Sequence, residues 1–285
     1  MPVYPAQRQR FELKYLITEE TALAMRSFVR CHLEPDDFVA DHADHSYEVH
    51  TLYLDSDDLL TYRTASNGDR NRFKLRIRYY DGNLASPVFF EVKRRINETI
   101  VKQRAQVHRD AVGPLLTGDS PVRRHLVTGK LQQWVDLLDF WQLGQRISAA
   151  PRSHVAYRRE AWVSSGNSSV RVTFDRQVRC GPEFGAELGL EVRDGVQVFP
   201  NNVILELKFT DRLPGWLGDL IRTFDLVRCG SAKYVTGVDL LGELKVARRR
   251  TGFAWGTAEV GSATSSPWLD SAAAVRQALA AGGKL

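Results

Sequence analysis

Between Arg72 and Tyr79 the chain reads Arg72-Phe73-Lys74-Leu75-Arg76-Ile77-Arg78-Tyr79, with a cation at every even position and an apolar side chain at every odd one. This is the period of two by which a β-strand sends alternate side chains to opposite faces, so four cations share one face. The chemistry open to such a face is the binding of a polyanion. Asp81-Gly82-Asn83 supplies turn chemistry, and Pro87 to Arg95 reads as a second strand with Phe89, Glu91, Lys93 and Arg95 on one face. After Asn97-Glu98 a third strand carries Lys102 and Arg104 on one side, with Val101, Ala105 and Val107 mostly on the other.

The charge is concentrated here. From Arg70 to Arg104 ten basic residues stand against three acidic ones, a local net of +7 in a chain whose total is +5, so the other 250 residues sum to −2. An antiparallel sheet with its basic face in water is one reading of this alternation. A solvated face, however, usually mixes signs, because like charges opposite one another on adjacent strands are destabilising. Cations held together over three strands ask for an anion.

Other strands repeat the mixed pattern. Arg10 to Ile17 places Arg10, Glu12 and Lys14 on one face; Tyr47 to Asp55 is strand-like; Val155 to Val163 carries Arg158 and Glu160; Val170 to Arg176 carries Arg171, Thr173 and Asp175; Val203 to Phe209 carries Glu206 and Lys208. Seven or more such strands suggest a barrel with a polar interior and helices outside. The expected helices run from a Thr18 cap to about His32, from Asp57 to about Ala65, from Pro121 to about Leu143 and from Pro214 to Leu226. The fold class expected is α+β, with one domain over 1–245 and a tail over 246–285 in which only Ala272 to Ala281 can form a short helix. Taken alone, Glu12 with Lys14 reads as an ordinary ion pair, Glu206 with Lys208 as either an ion pair or a site, and Ser231 to Tyr234 as a helix start. His50, His108 and His154 lack metal-ligand spacing and read as polar strand histidines. Cys31, Cys180 and Cys229 read as reduced structural thiols.

Taken in order, Phe11 to Ile17, Thr51-Leu52-Tyr53-Leu54-Asp55, Lys74 to Tyr79, Phe90-Glu91-Val92-Lys93-Arg94, Leu205-Glu206-Leu207-Lys208 and Ser231-Ala232-Lys233-Tyr234 form a set. It resembles the polyphosphate polymerase domain of the vacuolar transporter chaperone (VTC) type, among the triphosphate tunnel metalloenzymes, over about Gln9 to Leu241. The resemblance implies an antiparallel eight-stranded β tunnel barrel with flanking helices, binding ATP and inorganic polyphosphate with Mg²⁺ or Mn²⁺. By the same resemblance Lys14, Arg76, Arg78, Lys93 and Arg158 are the expected catalytic cations. Lys74, Lys102, Arg104, Arg171, Lys208, Ser231 and Lys233 are the expected phosphate-binding residues, and Glu206 and Glu12 the metal ligands. Such chemistry is mostly positioning and charge neutralisation, for which Arg forks, Lys point charges and a bridging metal are suited.

Hydrolytic members of that superfamily begin with Glu-x-Glu-x-Lys, whereas Arg10 replaces the first glutamate here. Fewer carboxylates weaken the case for a metal-activated water and favour a polymerase. A tri- or polyphosphatase and a non-catalytic polyphosphate-binding module are the alternatives. Adenylate cyclase chemistry is less expected, since no dedicated base-recognition motif is visible. Nucleic acid is not an expected partner, because Phe73 and Tyr79 fall on the face away from the cations. With 43% apolar and 26% charged residues the composition excludes collagen-like, mucin-like and wholly disordered chains. No window approaches a membrane span and the N-terminus lacks an apolar signal core, so the expected location is cytoplasmic, or peripheral at a membrane through a membrane-protein partner.

Overall fold

The computed structural model describes residues 10–39, 44–166 and 169–247. In chain order the elements are β1 (Arg10–Ile17), α1 (Glu19–Val29), β2 (Glu34–Pro35), β3 (Ser46–Asp55), α2 (Leu60–Ser66), β4 (Asn71–Tyr79), β5 (Val88–Ile96), β6 (Thr99–Val107), α3 (Val112–Leu116), α4 (Leu131–Arg146), β7 (Ala150–Val163), β8 (Val170–Pro182), β9 (Val196–Gln197), β10 (Val203–Thr210), α5 (Gly215–Thr223), α6 (Lys233–Leu241) and α7 (Glu243–Val246). The class is α+β with antiparallel pairing, as expected. Eight strands are long, and β2 and β9 add two-residue strands to that count. Ser231-Ala232-Lys233-Tyr234 does lead into a helix, α6. No helix among the described residues is long and apolar enough to cross a membrane. Of the expected tail, residues from 248 onward, including the helix at Ala272 to Ala281, lie outside the described residues.

The described residues divide into two compact units, each assembled from separate stretches of chain. The first takes the described parts of Met1–Val49, Ala156–Arg179 and Gln197–Thr236. Here β1 pairs with β10 and β10 with β8, both antiparallel. One face of these strands is apolar: Tyr15, Ile17, Val172, Phe174, Leu205 and Leu207 form a core with Met25 and Val29 of α1 and Leu217 and Leu220 of α5. The α1 cap is Thr18, whose Oγ1 accepts a hydrogen bond from the Thr21 N–H, with Glu19 and Glu20 at the positive end of the helix dipole.

The second unit takes His50–Val155, Cys180–Val196 and the described residues from Gly237 onward. Strands β3, β4, β5 and β6 pair antiparallel in that order. Phe73, Leu75, Ile77, Phe90, Val92 and Ala105 pack on Leu137, Phe140 and Leu143 of α4, and the Phe90 and Phe140 rings meet edge to face at 4.8 Å. Apart from Ala105, each such fully buried side chain stabilises the fold by about 1.5–3 kcal/mol. The α4 side chains also protect strand β6: the Arg104 N–H donates to Asp136 and the Gln106 N–H to Gln133. Arg94, on the apolar face, is matched by a bidentate pair to Asp139 of α4 at 2.6 and 2.7 Å.

The helix expected from Pro121 starts ten residues later. Leu126 bridges to Val107 and the Val127 N–H donates to the Gln106 carbonyl, so this stretch is committed to the β6 strand and only a 3-10 turn at Arg123–His125 forms before α4. The expected Thr18 and Pro214 helices are present but shorter, ending at Val29 and Thr223, and the second begins at Gly215.

His50 and His154 lie in the second unit's core. His50 Nδ1 is 3.1 Å from His154 Nε2, which is 3.2 Å from the Tyr79 hydroxyl, and Tyr79 donates to the Gly189 carbonyl at 2.6 Å. Burial, aided by the neighbouring His50, pushes His154 down to about 4 from the ordinary 6.5. The fold therefore holds a neutral imidazole, and its contribution is complete above about pH 6.5 and is lost as pH falls toward 4. The loss expected from this group is about 3 kcal/mol. Melting curves across that window should show it in the native protein and a much flatter response in His154→Gln; parallel slopes would contradict the assignment.

Candidate functional site

In the second unit the register lines up side chains across β4, β5 and β6. Lys74 faces Lys93, which faces Lys102; Arg76 faces Glu91, which faces Arg104; Arg78 faces Phe89, which faces Gln106. Lys74, Arg76, Arg78, Lys93, Lys102 and Arg104, all picked out from the alternation, therefore share a face, with Tyr53 of β3 opposite Arg76. What the sequence did not single out is Glu91 as the hub. It is fully buried, with Oε2 2.7 Å from Arg76 and 3.9 Å from Arg78, and Oε1 2.7 Å from Lys102 and 3.3 Å from Arg104.

Four of these cations lie within 4 Å of one carboxylate, and the titrations follow. Burial opposes ionisation of Glu91, but Arg76, Arg78 and Lys102 overcome it and hold the carboxyl far below its usual range. Burial also opposes ionisation of the Tyr53 phenol, yet Arg76, Lys74 and Arg78 pull it below its ordinary value. Lys102 is pulled down to about 7 by desolvation of its ammonium, with Arg76 and Arg78 repelling it and Glu91 only partly compensating, although 41% of its side chain stays exposed. An anion on this face should thus gain a charge partner as pH falls through 7. Tripolyphosphate titrations at about pH 6 and about pH 8 should show a steeper pH dependence in the native protein than in Lys102→Met; equal slopes would rule Lys102 out.

In the first unit, Lys14 faces Glu206, which faces Thr173; Glu12 faces Lys208, which faces Arg171. Glu206 is buried, with Lys14 at 3.0 Å, Lys208 at 2.6 Å, and Lys233 and Arg159 both at 3.6 Å. Glu12 lies 3.3 Å from Lys14, and Arg171 pairs with Asp36 at 2.5 Å. Burial works against the charge of Glu206, but Lys208, Lys14, Lys233 and Arg159 together hold it well below the usual range. Burial likewise works against Lys14, and Glu206 and Glu12 raise it nonetheless. The expected residues Glu12, Lys14, Lys208, Glu206 and Lys233 are thus brought together around one carboxylate, and Arg171 lies in the same register rows.

Arg158 is a correction. Its guanidinium pairs with Asp44 and donates to the Ser46 hydroxyl, and 46% of the side chain is exposed. The neighbouring Arg159 faces the Glu206 cluster instead: its fork is bidentate on fully buried Asp175 at 2.6 and 2.7 Å, and Asp175 also accepts from Lys233 at 2.6 Å. Glu160, read as sharing a face with Arg158, pairs with Arg26 of α1 and with Arg176. Adjacent strand residues point to opposite faces, so only one of Arg158 and Arg159 can reach the Glu206 cluster. Arg159 is therefore the residue absent from the sequence expectations, while Asp175, placed there on the charged face of its strand, is its partner.

Thr173 and Ser231, both buried, have hydroxyls with no hydrogen-bond partner among the described residues. Orphaned groups of this kind are satisfied by a ligand or water. Beside Glu206 the donors are all oxygens, its carboxylate with the Thr173 hydroxyl across from it, and no group of three His, Cys, Asp or Glu stands among the described residues. That donor set fits a hard divalent ion that takes most of its ligands from phosphate, and a soft ion poorly.

The family model described as the VTC domain matches residues 9–242. No curated protein matches the chain. Among solved structures it is similar to a proposed adenylate cyclase from Bacillus halodurans, at 13% identity and a TM-score of 0.43, over 78% of this chain and 92% of that one. It is also similar to the PH1819 protein from Pyrococcus horikoshii OT3, at 14% identity and a TM-score of 0.42, over 82% of this chain and 99% of that one. Both likenesses are too distant to carry an argument about this chain.

Proposed function

Because this chain belongs to the VTC domain family, we propose that it is an ATP-dependent polyphosphate polymerase that moves the terminal phosphate of ATP onto a growing polyphosphate chain. The observation that carries the reading is the β4–β6 face, which six cations share and where four of them, Arg76, Arg78, Lys102 and Arg104, lie within 4 Å of the buried carboxylate of Glu91. Such a surplus of fixed positive charge suits a ligand that is itself a chain of negative charges. In the reaction an oxygen of the chain's terminal phosphate attacks the γ-phosphorus, the bond to the bridging β,γ-oxygen breaks, and ADP leaves with that electron pair. Arg76 and Arg78 hold the transferred group and Lys93 and Lys102 the neighbouring phosphates, so the charge spread over the equatorial oxygens is met by donors already in place. Around Glu206, Lys14, Lys208, Lys233 and Arg159 form a second phosphate-binding surface.

Glu206, with Glu12 the further carboxylate, would hold Mg²⁺ or Mn²⁺, which when bound would offset the charge of the phosphates. Arg10 in place of a first-strand glutamate leaves few carboxylates to position a hydrolytic water, which supports transfer over hydrolysis. The reading is tested by Arg76→Ala and Glu206→Gln. Both should abolish polymer formation, Arg76→Ala with loss of polyphosphate binding and Glu206→Gln with loss of metal dependence. If the native protein bound polyphosphate, lost that binding in Arg76→Ala, and yet formed no polymer and released no orthophosphate from ATP and metal, the protein would be a binding module.

A further inference from the structure

Resting on the reading of the β4–β6 face as a nucleotide-phosphate site, we propose that the Phe89 end of that face is a nucleobase-stacking subsite, where a purine ring lies on the outer surface of the Arg104 guanidinium. Phe89 is a half-buried ring among charged side chains, in the row between Arg78 and Gln106. The Arg104 guanidinium lies over this ring, its centre 3.6 Å from the ring centroid. Two further contacts hold the group: Nε is 3.3 Å from the Glu91 carboxylate as a charge pair, and a terminal nitrogen donates to the Tyr80 hydroxyl at 3.1 Å. Tyr80 in turn packs edge-on against Phe89 at 5.8 Å.

One surface of the guanidinium is therefore covered by the ring while 38% of the Arg104 side chain stays exposed. A flat, delocalised cation held rigidly with one surface open is a stacking platform for a base, in the manner of Arg planes and aromatic rings that hold splayed bases. The placement across and along the strands fits the order of groups in a nucleotide. Successive rows are two residues, or about 7 Å, apart. Arg104 shares its row with Arg76 and Phe89 shares its row with Arg78, so a base on Arg104 has its phosphates across the sheet at Arg76 and Arg78, two strand spacings or about 10 Å away, and their free end turns into the next row along, at Lys74, Lys93 and Lys102.

The Tyr80 hydroxyl is engaged by Arg104, and stacking tolerates any base with a π face, so ATP and GTP should bind within a few-fold of each other.

The test is calorimetric titration of the full chain with ATP, GTP and tripolyphosphate, in the native protein and in Phe89→Leu, which keeps apolar volume and removes the ring. ATP and GTP should each weaken by about tenfold while tripolyphosphate changes less than about twofold. Equal losses for all three ligands, or no loss for ATP, would overturn the subsite. If the native protein fails to bind tripolyphosphate, the phosphate reading falls and the subsite with it. Etheno-ATP on the native protein gives a variant-free reading: its base emission changes on binding if the ring is stacked, and an unchanged emission from a bound nucleotide would refute the proposal.

Discussion

Glu91→Gln should lower the unfolding free energy by about 3–5 kcal/mol, the cost of removing one partner from a buried ion-pair cluster, and tripolyphosphate should restore much of it. The argument runs through the register. Arg76, Arg78, Lys102 and Arg104 all lie within 4 Å of this carboxylate, which is itself fully buried. With a neutral amide there, those cations lose the charge of the carboxylate they share. A bound polyanion supplies the missing charge and stabilises the variant by mass action, in proportion to the logarithm of its concentration over its Kd. The rescue separates this account from ordinary core damage. Chemical denaturation with and without tripolyphosphate measures it, and an unrescued loss, or no loss at all, would count against Glu91 as the internal counterion of a phosphate site.

The second large effect contrasts two adjacent arginines. Arg159→Ala should reduce kcat/KM for polymer formation by about 10²–10³, the range found when one fixed donor to developing charge is removed. Arg158→Ala should stay within about threefold, since its partners Asp44 and Ser46 hold it away from Glu206. Arg159→Lys should recover little, because the bidentate fork on Asp175 fixes the guanidinium plane and a point charge cannot reproduce it. Steady-state rates for the three variants decide the matter, and the reverse order of Arg158 and Arg159 would overturn the assignment.

These two cases mark where the sequence could and could not be read. The basic face of β4 was legible because its other face is a clean apolar row, Phe73, Leu75, Ile77 and Tyr79, so the phase of the alternation is unambiguous. On β7 apolar side chains fall in both phases, Val155, Tyr157 and Ala161 in one and Ala156 and Trp162 in the other, so the residue types alone do not tell Arg158 from Arg159. Glu91 was visible as one acid among many cations, but its role as their hub needs Arg76 and Arg104 across from it on two neighbouring strands. The late start of α4 has a similar origin: the stretch from Pro121 carries helical periodicity, and its hydrogen bonds are taken by β6 instead. Local pattern sets which side chains share a face, whereas the pairing that turns a face into a site depends on residues far apart in the chain.

The central claim is that this face serves the lengthening of a phosphate chain. Purified protein incubated with ATP labelled at the γ-phosphate and Mn²⁺ should yield label in products of increasing length, resolved by gel electrophoresis and released by a polyphosphate-specific phosphatase, with none in Arg76→Ala. Label appearing as orthophosphate alone, with no chain longer than the substrate's own triphosphate, would contradict the account.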